Sequence, residues 1–241
     1  MKRLTICILC LIVHLEVYSQ HSFGLEFGQV SQNSFGNVNQ IGNVIVQPVG
    51  GGTTTTRLFG LFYEFEFSDR LSLHNKVTYS RVFTRYAFYD QSKPVFPNVP
   101  GLFETKAGGP PTGRLSLEIL PQVKLLEIGK LRLNAFGGLN VSANIVKEQD
   151  DEFYRGLPEL SLVYNSFENS VMPITANFVF GCSLEFAQRI VFWAKYQPTS
   201  YYSREIRVEG QSYPFENRWN FLSLTLGYKF HSFRLKNEDK Q

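Results

Sequence analysis

Residues 217–230 read Asn-Arg-Trp-Asn-Phe-Leu-Ser-Leu-Thr-Leu-Gly-Tyr-Lys-Phe, and no other stretch restricts the fold as tightly. Leu222, Leu224, Leu226, Tyr228 and Phe230 share one parity, while Ser223, Thr225, Gly227 and Lys229 share the other. Successive side chains of a strand point to opposite faces, so this period of two predicts a strand between two different solvents. One face seeks hydrocarbon and the other does not.

The pattern recurs along the chain. Segments 22–30, 57–67, 71–83, 114–125, 131–146, 173–187 and 190–197 alternate in the same way, most clearly at 131–146, where Leu131, Leu133, Ala135, Gly137 and Leu139 oppose Arg132, Asn134, Phe136 and Gly138. Their connections alternate in length. Residues 29–56, 84–113, 147–172 and 198–216 are long, whereas 68–70, 127–130 and 188–189 are tight turns. Within 29–56 the apolar piece 44–46 suits a small hairpin, and Pro121 predicts a bulge or an early strand end, because proline gives the ladder no donor.

Composition agrees, since 22 Phe and 12 Tyr among 241 residues favour strands. The net charge of +3 is dispersed, without the basic stripe of a nucleic-acid binder. Cys7 and Cys10 lie in the first ten residues, so Cys182 has no partner in a mature chain, and neither a disulfide framework nor a cysteine zinc site is expected. Cys182 reads as a small apolar filler. No metal or cofactor is implied. Residues 1–19 have a basic start (Lys2, Arg3), a short apolar run and a small residue at Ser19, which predicts an export signal cleaved near Ser19/Gln20.

A soluble barrel of the lipocalin kind keeps apolar side chains inside and charges outside. Here the second face carries Gly, Asn, Ser, Thr and charges of both signs, as suits a packed polar interior. The chain is therefore expected to form an all-β, antiparallel up-and-down transmembrane β-barrel of about eight strands, with long extracellular loops and short periplasmic turns. A bilayer leaves no backbone group unpaired, so segment 22–30 must close onto 217–230. Aromatic girdles are expected from Tyr63, Phe65, Phe67, Phe186, Tyr228 and Phe230 at the turn side, and from Tyr79, Tyr196 and Trp219 at the loop side.

The leader, the strand and turn pattern, and Leu224-Thr225-Leu226-Gly227-Tyr228-Lys229-Phe230 together resemble the small outer-membrane barrel domains abundant in Bacteroidota, the group that includes PorT-like proteins, within the OmpA-like transmembrane barrel superfamily. The resemblance implies the outer membrane of a Gram-negative bacterium, with outer-membrane lipid and the barrel-assembly machinery as partners. It also makes Leu224, Leu226, Gly227, Tyr228 and Phe230 the insertion signal. The polar tail 231–241 departs from the family habit of ending at the aromatic residue.

Parity places Glu26, Glu64, Glu66, Glu118 and Glu185 inside with His74, Lys76, Arg114, Lys124, Arg132, Lys195 and Lys229. These charges nearly cancel, as a salt-bridged plug requires, although the same groups are able to line a narrow ion path. Glu64 and His74 should meet across the first short turn. Catalysis would have to join His74 and Glu64 to Ser72 or Ser80, but no spacing motif supports such a set, and the chain is read as non-enzymatic. Channel activity and lipid or peptide processing are the alternatives. Binding is expected at the external loops, where Tyr86, Phe88, Tyr89, Phe96 and Phe103 offer an aromatic surface for a protein or glycan, or else pack the loop onto the rim. The acidic run 148–152 lacks calcium-loop spacing and reads as a solvated tip.

Overall fold

The computed structural model describes residues 20–48, 53–83, 86–94, 103–108, 111–147 and 158–234. The leader, Phe96, the acidic run 148–152 and the tail beyond residue 234 lie outside the described residues.

Eight antiparallel staves close into a barrel: β1 (Gln20–Gly36), β4 (Thr54–Glu66), β5 (Leu71–Phe83), β8 (Pro111–Ile128), β9 (Leu131–Val146), β10 (Ile174–Phe186), β11 (Ile190–Val208) and β12 (Gln211–Arg234). Closure is made by β1, which pairs with β12 from Gln20↔Arg234 to Gly36↔Asn217 and with β4 from Gln20↔Glu66 to Gln32↔Thr54. Both described ends of the chain therefore lie at the end of the short turns. There Ser68 Oγ accepts the amides of Arg70 (3.3 Å) and Leu71 (3.2 Å), and Ala187 and Gln188 adopt φ of 51° and 59° in the tight turn 187–189 between Phe186 and Ile190.

The long connections contain structure of their own. Strands β2 (Asn39–Ile41), β3 (Val44–Pro48), β6 (Tyr86–Pro94) and β7 (Phe103–Gly108) form a separate four-stranded sheet, joined by helix α1 (Pro158–Asn169). Residues 198–216, expected as a loop, instead continue β11 and β12 as one tall hairpin that turns at Glu209 and Gly210. Register shifts between Gln197 and Ser200, Tyr201 and Ser203, and Ser203 and Glu205 break its period of two, which hides the strands from a parity argument.

Pro121 does not end β8. The β8–β9 ladder passes from Ile119↔Leu139 to Gln122↔Phe136 without pairs at Leu120 or Pro121, so the missing donor falls in a gap, and the register shift lies further on, between Lys124 and Leu126. β12 likewise runs past Phe230, with His231 to Arg234 still paired to β1.

Leu25, Leu117, Phe178 and Leu226 are between 47% and 71% exposed on the outer wall, whereas Glu64 and Lys76 on the inner wall are 1% and 2% exposed. No soluble surface exposes an apolar band of this extent, and hydrocarbon is the solvent that fits it. No described helix is long and apolar enough to cross a membrane. Tyr79 (43% exposed) stands on the outer wall as a girdle requires, but Trp219 is fully buried. It shares the parity of Ser223 and Lys229, which turns it inward.

Leu117→Lys, in the middle of the outer wall, is expected to destabilise the lipid-embedded barrel by about 2–4 kcal/mol, measured by urea unfolding in vesicles. Truncation after Phe230 removes four paired residues and should lower the yield of assembled barrel in a gel-shift assay. Truncation after Arg234 keeps every described ladder pair and should leave the yield unchanged.

Candidate functional site

The inner wall is built in layers. At the mouth on the turn side, Arg132 Nη1 meets Glu66 Oε1 at 2.8 Å, both half-buried. Lys124 also sits at this mouth, bridging to exposed Glu127 at 2.5 Å instead of entering the interior, because the neighbouring bulge interrupts the inward row.

One layer further in, Glu64 is the hub. It accepts from Ser22 Oγ (3.0 Å), lies 2.6 Å from His74 Nε2 on the neighbouring stave, and pairs with Lys229, which also reaches Glu185 at 2.9 Å. Above it lies an apolar layer containing Phe62, Leu120, Phe136 and Trp193. Gly227 belongs to this arrangement, since the Trp193 ring occupies the space that a Cβ would fill. Of the expected insertion signal, only this glycine faces inward; Leu224, Leu226, Tyr228 and Phe230 face outward.

The next layer is again charged. Lys76 Nζ lies 2.8 Å from Glu26 Oε2 and 3.4 Å from the centroid of Trp193, a cation–π contact in a dry setting. Glu118 pairs with Lys195 and accepts from Asn140 Nδ2 at 3.0 Å. Arg114 has no carboxylate partner among the described residues but donates to Ser142 (3.0 Å) and Gln197 (2.6 Å), and it lies 4.2 Å from the Phe221 ring centroid. Inside the barrel, Glu26, Glu64, Glu118 and Glu185 are thus balanced by Lys76, Arg114, Lys195 and Lys229. Over them Trp219 stacks on Tyr202 at 3.9 Å, and both cluster with Val30, Leu58, Val82 and Phe221 on the cap side.

The histidine site does not assemble a triad. Among the described residues, His74 has Glu64 as its partner, its Nδ1 has none, and neither Ser72 nor Ser80 donates to it. His74 is 2% exposed. No group of three or more metal-ligating side chains occurs among the described residues. Cys182 is exposed on the outer wall.

Of the two readings of the loop aromatics, the packed one holds for Tyr86 and Phe88. Tyr86 and Phe88 are fully buried and form the core of an external cap, so they are not a contact surface. Phe88 packs edge-on against Tyr164 (5.2 Å) and Phe167 (5.7 Å) of α1, and Tyr86 meets Phe215 of the tall hairpin at 5.4 Å. The reason is the alternation of β6, which sends Tyr86 and Phe88 to the face that α1 covers while Tyr89 remains half-buried on the other. Phe103 lies in β7. Sequence reasoning missed α1, although Leu160, Val163, Tyr164 and Phe167 stand at helical spacing. Asn217 ties cap to barrel, accepting from Trp219 Nε1 (2.7 Å) and from Tyr86 (3.3 Å), whose hydroxyl burial keeps protonated by raising its pKa.

No protein-family model matches the chain, and no curated protein matches it. Solved structures similar to it are small outer-membrane barrels. Ail, the attachment invasion locus protein of Yersinia pestis, is 12% identical over 88% of this chain and 99% of its own, with a TM-score of 0.38. OprG from Pseudomonas aeruginosa is 8% identical over 87% and 96%, with a TM-score of 0.46. Neisserial surface protein A is 10% identical over 86% and 97%, with a TM-score of 0.39.

Lys76→Met is expected to cost about 3–5 kcal/mol in urea unfolding by stranding the Glu26 carboxylate, and adding Glu26→Gln should recover much of the loss. Phe88→Ala should remove about 3–5 kcal/mol from the cap core. Limited proteolysis of vesicle-embedded protein would then cleave the cap faster while leaving the barrel band intact.

Proposed function

We propose that the chain is exported, loses residues 1–19 near Ser19/Gln20, and resides in the outer membrane of a Gram-negative bacterium as a non-enzymatic barrel. It acts through its external cap in binding, envelope structure, or as an accessory to secretion or assembly. The observation that carries this reading is the filled interior: paired charges in two layers, an apolar layer between them, and the Trp219–Tyr202–Phe221 cluster above. Such packing suits a scaffold, because a conducting path needs a continuous wet line of polar groups. The cap, with its own core, is a rigid platform of the kind on which binding loops are held.

The leader and residues 224–230 support a place among the PorT-like barrels of Bacteroidota, with the outward Leu224, Leu226, Tyr228 and Phe230 and the tightly packed Gly227 serving the barrel-assembly machinery. A protein or glycan is the partner expected at the cap.

Purified protein in a planar bilayer should give no conductance steps, and reproducible steps would overturn the sealed scaffold. Leu162→Cys, on the exposed side of α1, should react with a membrane-impermeant maleimide in intact cells. Labelling only after the outer membrane is broken would place the cap on the wrong side.

A further inference from the structure

The outer wall changes character abruptly on β1, β4 and β5. Going toward the cap, the outward row of β1 passes from Leu25 and Phe27 to Gln29 and Ser31, and that of β4 from Leu61 and Phe59 to Arg57 and Thr55. On β5, Val77 and Tyr79 give way to Arg81. Ser31 and Thr55, just above, hydrogen-bond each other at 3.1 Å. The hydrocarbon band therefore ends at Arg57 and Arg81, the depth at which lipid headgroups lie.

The two arginines are neighbours. The β4–β5 ladder ends at Leu58↔Ser80, Arg57 and Arg81 are the next residues beyond that last pair on their two strands, and the Arg81 carbonyl accepts from Thr56 Oγ1 at 2.7 Å. Like charges directly opposite each other weaken a sheet. Among the described residues nothing relieves this pair, because both arginines are exposed and neither has an ion-pair or hydrogen-bond partner there. Their ladder neighbours are Gln29 and Gly113, which carry no charge. Tyr79 adds a donor, its hydroxyl lying 3.3 Å from where a Cβ on Gly113 would stand. Below, Phe59 pairs across with Tyr79 and with Phe27, its ring centroid 5.0 Å from that of Phe27.

We propose that Arg57 and Arg81 form a binding site for the phosphate of an anionic lipid in the cap-side leaflet, with its acyl chains lying over Phe27, Phe59 and Leu61. Two forked donors meet the oxygens of one phosphate, and the anion removes the repulsion between them. The proposal rests on the reading of the barrel as membrane-spanning.

The test uses the full-length refolded protein in nonionic detergent, offered equal amounts of phosphatidylglycerol and phosphatidylcholine with identical acyl chains, and read by native mass spectrometry. Wild-type protein should retain phosphatidylglycerol about tenfold over phosphatidylcholine, a preference that weakens as salt is raised. R57Q/R81Q should abolish the preference while keeping the heat-shifted gel migration of a folded barrel. R57K/R81K should keep part of the preference, and R207Q, which removes an exposed cap cation, should keep all of it. Equal retention by wild type, a preference that survives R57Q/R81Q or high salt, or displacement of the lipid by excess inorganic phosphate would each overturn the lipid site. Failure of the membrane-spanning reading looks different, as protein without a gel shift and absent from the membrane fraction.

Discussion

The pairing of β1 with β12 is the constraint on which the rest depends. In hydrocarbon an unpaired amide or carbonyl has no water to turn to, so the sheet must have no edge, and the first stave has to find the last. That ladder runs from Gln20↔Arg234 to Gly36↔Asn217, the whole length of β1. Once it forms, the two faces of every stave have fixed surroundings: lipid outside, and inside a narrow volume that eight strands leave for side chains to fill.

Filling that volume with the polar face raises a second problem, the desolvation of charge. The interior meets it by contact. Glu26 has Lys76, Glu118 has Lys195, and Glu64 is shared by Ser22, His74 and Lys229. Burial of this kind contributes little net stability and is severe to break. Phe62 and Trp193 belong to the apolar cluster between the charged layers, and Tyr202 and Trp219 to the cluster toward the cap. The cap is an outgrowth of the same staves, since β11 and β12 rise beyond the bilayer and offer Ile206, Val208 and Phe215 to α1 and β6. A strand that faces lipid at Leu224 faces a water-excluded protein core at Phe215, and only the solvent around it has changed.

Much of this was legible in the order of residues, and the failures have identifiable causes. Residues 217–230 announced a stave because Leu and Tyr alternate with Ser, Thr, Gly and Lys without interruption. The continuation through 198–216 was hidden by three register shifts, each of which flips the parity that a reader follows. Trp219 was assigned to a girdle from its residue type, although its parity already placed it beside Ser223 and Lys229 on the inside. Between a contact surface and packing onto the rim, the sequence leaves Tyr86 and Phe88 open, because the partners that bury them, Tyr164, Phe167 and Phe215, are distant in sequence. The helix at Pro158–Asn169 follows a long polar stretch, where its short apolar stripe is easily passed over.

What the sequence determined by itself is the face of each side chain, because covalent geometry alone turns alternate residues of a strand to opposite sides. That suffices for the barrel, its apolar exterior and the charged character of its inner wall. Which inward residue meets which was decided only by tertiary structure. Glu118 and Lys195 lie on staves that are not neighbours, and their pairing depends on how the closed sheet tilts and staggers. The same stagger turns Arg57 and Arg81 into a pair of adjacent charges at the edge of the hydrocarbon, a property of neither segment alone.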